Sequence, residues 1–69
     1  MTPVQCKMAR AALGWGVRDL AKVAGVSANT VNRFETGSDA YQSTITKLEQ
    51  AILNTGKIKF DGKCVCIAD

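Results

Sequence analysis

Sixty-nine residues make one domain with a small core, so tight helix packing or a second subunit has to supply part of the stability. The composition, 46% hydrophobic and 22% charged, is that of a globular chain. No apolar run approaches the ~20 residues of a membrane span and no charged-then-apolar leader opens the chain, so a cytoplasmic protein is expected. Histidine is absent, which removes the commonest general base and the commonest metal ligand together and argues against an enzyme.

The net charge of +3 is unevenly spread. Residues 1–36 hold Lys7, Arg10, Arg18, Lys22 and Arg33 against Asp19 and Glu35, whereas in residues 37–69 Lys47, Lys57, Lys59 and Lys63 are cancelled by Asp39, Glu49, Asp61 and Asp69. A polyanion would be met by the N-terminal half, although charge alone fits a solvated surface equally well.

Glycines and polar caps divide the chain. Thr2-Pro3-Val4-Gln5 is a capping box with proline at the first helical position, predicting a helix from Pro3 to Leu13 that ends at Gly14 and buries Cys6, Ala9, Arg10 and Leu13. A second helix fits Val17 to Ala24, with Leu20, Ala21 and Ala24 inward, a weak start at Gly16 and a stop at Gly25. Val26 turns inward, and Ser27 caps a third helix with Val31 and Phe34 inside and Gly37 as its stop. After a polar loop, Ser43 is expected to cap a fourth helix carrying Ile45, Leu48, Ile52 and Leu53, ending at Gly56.

The period then changes. Ile58-Lys59-Phe60, Asp61-Gly62 and the run from Lys63 to Ile67 read as a β-hairpin. An Asp-Gly turn puts Lys63 opposite Phe60 and Val65 opposite Ile58. Ile58, Phe60, Val65 and Ile67 then share one face, and Lys57, Lys59, Cys64 and Cys66 the other. The expected fold is mainly α: four helices over residues 1–56, then a hairpin over 57–69 that packs on the domain or dimerises.

From Val17 to Phe34 the spacing is that of a helix-turn-helix. Ala21 is small where a crossing helix needs room, Gly25 permits the sharp turn, and Val26 and Val31 plug the angle. Together Leu20, Ala21, Gly25, Val26, Val31 and Phe34 resemble the phage repressor and Cro-like regulators, the XRE family, over about Thr2 to Gly56. The resemblance implies a bacterial or phage source and a partly buried salt bridge between Arg10 and Glu35. Gly16 and Val17 depart from the hydroxyl and polar residues usual there, which leaves backbone and Arg18 to anchor the second helix.

The third helix is then the reading helix. Ala28, Asn29, Asn32, Arg33 and Thr36 are expected on the side opposite Val31 and Phe34; asparagine can pair bidentately with adenine, Arg33 with guanine or a phosphate, and Ala28 or Thr30 with a thymine methyl. Two asparagines are poor choices for a merely solvated helix face, and no acidic residue lies between Asp19 and Glu35. Helix starts and hydroxyl or cationic side chains suit the phosphates, with Arg18, Lys22, Ser27, Thr30, Ser43, Thr44 and Lys47 as candidates.

Other signals are weaker. The three cysteines are an odd number, and Cys64 and Cys66 are poorly placed to bridge each other, so reduced thiols are expected. A C-x-C pair supplies at most two of zinc's four ligands, which favours structural cysteines and no metal. Cys6 reads as core, and packing against helix ends is the favoured role for Trp15 and Tyr41 over contact with the DNA backbone. No cofactor or small-molecule ligand is implied. The function expected is sequence-specific double-stranded DNA binding, as a transcriptional repressor acting as a homodimer on a palindromic operator, since the sequence shows no segment to recruit polymerase. An antitoxin or phage adaptor, a protein-interaction module with secondary DNA binding, is the alternative.

Overall fold

The computed structural model describes residues 1–38, 40–62 and 64–67. Four helices, α1 (Pro3–Leu13), α2 (Val17–Ala24), α3 (Ala28–Glu35) and α4 (Gln42–Leu53), precede an antiparallel pair, β1 (Ile58–Asp61) and β2 (Cys64–Ile67).

The starts of the first three helices follow from local chemistry. At α1 the Gln5 N–H donates to Thr2 Oγ1 (3.2 Å) and the Thr2 N–H donates to Gln5 Oε1 (2.8 Å). At α2 glycine has no cap side chain, and Asp19 compensates by accepting the Gly16 N–H at 2.8 Å. At α3 Ser27 Oγ accepts the Thr30 N–H at 3.1 Å. Between α2 and α3 the chain reverses at Gly25, whose φ of +76° is open to glycine at little cost, while the N–H groups of Gly25 and Val26 both donate to the Ala21 carbonyl.

The fourth helix departs from expectation. It starts at Gln42 with Tyr41 as its cap, so Ser43 lies inside the first turn. The Tyr41 carbonyl accepts from Thr44 and Ile45 instead. A serine cap is worth only about 1 kcal/mol, a preference that tertiary packing of Ile45 against the core readily overrides.

All four helices and β1 converge on one core. Cys6, Leu20, Val31, Leu48 and Ile52 are fully buried, with Ala9, Ala21, Ala51, Phe34 and Ile58 around them. The alanines let helices approach closely, and Ala51 was not among the residues expected inside. The hairpin packs on α1 and α4, so it is part of this core.

Its register is Ile58 to Ile67, Lys59 to Cys66, Phe60 to Val65 and Asp61 to Cys64. Val65 therefore faces Phe60 and not Ile58, and the turn begins at Gly62 instead of Asp61. Gly62 has φ +60°, and the favoured two-residue hairpin turns need a positive φ at their first central position, which glycine adopts at the least cost. The expected partner Lys63 lies outside the described residues. Because the correction is two residues, each side chain keeps its face. A buried amide ties the hairpin down: Gln5 Nε2 donates to the Gly62 carbonyl at 2.7 Å.

Candidate nucleic-acid interface

Helix α3 turns Val31, Phe34 and Glu35 inward and leaves Asn29, Asn32, Arg33 and Thr36 exposed. Ala28 is a correction. It stands three residues before Val31, hence on nearly the same side, and is half-buried against the core. The outward face is therefore two asparagines, an arginine and a threonine. The Thr36 hydroxyl donates to the Arg33 carbonyl at 3.0 Å, leaving its lone pairs free, and the hydroxyls of Ser27 and Thr30 lie 2.7 Å apart beside the helix start.

Behind this face Glu35 anchors α3 to α1. Arg10 grips it bidentately, Nε to Oε2 at 3.0 Å and Nη2 to Oε1 at 2.9 Å, and spends Nη1 on the Trp15 carbonyl at 3.1 Å. Cys6 Sγ donates to Glu35 Oε2 at 3.3 Å. Burial, and then the adjacent carboxylate, push the Cys6 thiol up to about 12, while the hydrogen bond to Glu35 raises the pKa of Arg10 further. The aim of the exposed side chains thus rests on a carboxylate with partners at both oxygens.

Pairing of Arg10 with Glu35 sharpens the charge pattern. The exposed cations of residues 1–36 are Lys7, Arg18, Lys22 and Arg33, against Asp19 alone, and Asp19 is engaged by the Gly16 N–H. Arg18 and Lys22 share one outer stripe of α2, a turn apart, and Ser43 and Lys47 do the same on α4, where Thr44 is half-buried.

Between α3 and the start of α4 lies a cleft of about 200 Å³ lined by Thr30, Arg33, Phe34, Ala40, Tyr41 and Thr44. Tyr41 is 84% exposed there, so it does not pack against a helix end as expected, whereas Trp15 is half-buried against the core. Tyr41 caps α4 through its backbone, and that conformation holds its ring outward beside Arg33. Nothing in the sequence pattern distinguished the two aromatics, because both lie in turns.

A family model described as helix-turn-helix matches residues 7–52. The chain belongs to the XRE-type helix-turn-helix family. A protein of Archaeoglobus fulgidus, named as an HTH-type transcriptional regulatory protein, is 47% identical over 51 residues, which is 74% of this chain and 16% of that relative. The chain thus spans about one-sixth of the length of the curated relative it matches. This helix-turn-helix chain carries a DNA-binding regulatory domain. Among the described residues, no helix is long and apolar enough to cross a membrane.

Proposed function

We propose that the protein is a sequence-specific transcriptional repressor that binds a palindromic double-stranded site as a homodimer. The observation that carries this reading is the exposed α3 face, acid-free and flanked by the basic stripes of α2 and α4. Asn29 and Asn32 read base edges, Arg33 and Thr36 border them, and half-buried Ala28 offers its methyl group at the helix start. Arg18, Lys22, Ser27, Thr30, Ser43, Thr44 and Lys47 hold the phosphates on either side of the groove. A domain this small presents one reading helix, and a twofold pair about 34 Å apart matches successive turns of DNA. The exposed β2 strand, with Ile67 at 68% exposure, is the surface for that pairing. The protein works in the compartment that holds the DNA; the matching relative is archaeal, so the domain's range extends past the bacterial or phage source that the resemblance implies.

Selection from a pool of random duplexes tests this directly. A recovered inverted repeat supports both the reading helix and the dimer, a single half-site removes the dimer, and failure to enrich any sequence overturns the proposal. On the recovered site, Asn32→Ala is expected to weaken binding by about 1–3 kcal/mol and to relax preference at one base pair, with the thermal unfolding of the free protein unchanged.

A further inference from the structure

DNA binding leaves Cys64 and Cys66 without a role. Both are free and exposed, and as alternate residues of β2 they project from the same face of the hairpin, opposite the face that packs Ile58, Phe60 and Val65 on the core. The register sets Lys59 beside Cys66 and Asp61 beside Cys64 on that outer face. The third thiol, Cys6, is buried and bonded to Glu35, so it cannot join them.

Spacing decides what such a pair can hold. Alternate residues of a strand stand about 6.6 Å apart at their Cα atoms, and sulfurs leaning toward each other close part of that distance. Two collinear metal–sulfur bonds of ~2.3 Å span about 4.6 Å, whereas a tetrahedral bite at the same bond length demands about 3.8 Å. Extended backbone favours the wider pair. Zinc would also want two further ligands, and among the described residues no group of three or more His, Cys, Asp and Glu side chains could hold a metal ion. Soft ions select thiolates without needing more. Binding a monovalent ion to two thiols expels two protons and leaves an S–M–S unit of charge −1; the Lys59 ammonium and the Asp61 carboxylate on the same face offset each other, so the softness of the thiolates and not the surrounding charge favours the site.

We propose that Cys64 and Cys66 form a two-coordinate site on the outer face of the hairpin for a soft monovalent d10 metal ion, with Cu(I) as its natural fit.

The test is anaerobic titration of the reduced full chain with Cu(I) in competition with a chromophoric Cu(I) chelator. One Cu(I) per chain is expected, with an ultraviolet thiolate-to-metal band, two protons released per ion, and no change in the mass of the assembly. Cys64→Ser and Cys66→Ser are each expected to abolish the band while circular dichroism shows the fold retained, since neither side chain is buried. One ion per two chains with metal-driven association would mean a four-thiolate bridge and overturn the two-coordinate site. So would a band that survives in either serine variant, or failure to take Cu(I) from the chelator.

Discussion

The ion pair between α1 and α3 is asymmetric, because the Glu35 side chain is 3% exposed and that of Arg10 is 21% exposed. Arg10→Ala strands a carboxylate that water cannot reach, at an expected cost of about 3 kcal/mol or more in chemical denaturation. Glu35→Ala leaves a guanidinium that can turn toward solvent, and the same measurement should show a smaller loss. Cys6 adds a pH signature. Its thiol is held near 12 in the folded protein, above its ordinary value of 9.0, so the folded state keeps a proton that the unfolded chain gives up. The stabilisation from this group is complete below about pH 9 and is lost as pH rises toward 12, so unfolding at a series of alkaline pH values should show Cys6→Ala losing less stability than the parent. Alkylation at neutral pH should label Cys64 and Cys66 in the native protein and reach Cys6 only after denaturation.

The hairpin is the element whose standing changed most between sequence and structure. Its apolar alternation was plain, but alternation does not say whether a face covers the chain's own core or a partner's. Within this chain the face covers its own core: Ile58 is 4% exposed and lies among core residues from all four helices. Ile58→Ala should therefore cost about 2–4 kcal/mol by thermal or chemical unfolding, a loss expected of a core position and not of a detachable arm. Both ends of α1 and the stop of α2 were legible, because Thr2, Gln5, Gly14 and Gly25 carry strong local signals, whereas the start of α2 at Gly16 had only a weak one and is supported by Asp19. Ser43 carried a weaker one and lost to packing. Ala28 was misplaced because helix phase was judged from Val31 and Phe34 without its own three-residue step to Val31. The second duty of Gln5 depended on a carbonyl 57 residues away, which no local pattern contains.

For the molecule as a whole, the exposed cations outnumber acids around the reading helix, so its affinity for DNA should fall with salt. Arg18→Ala and Lys47→Ala are each expected to weaken all duplexes alike and to reduce the slope of log K against log salt by about 1, whereas Asn29→Ala should leave that slope untouched. A plot of binding against salt for the three variants separates the residues that hold the strand from those that read it. The bond from Gln5 to the Gly62 carbonyl, together with buried Ile58, bears on how the protein is made. Synthesis delivers the N-terminal residues first, at roughly 5–20 per second. A nascent chain holding only the four helices carries a core with one wall missing and a buried amide without its acceptor. The ribosome must therefore release residues through Gly62 from its tunnel before α1 and α4 gain the β1 wall of their core, and a chain stalled earlier would offer chaperones and proteases an apolar opening where β1 belongs.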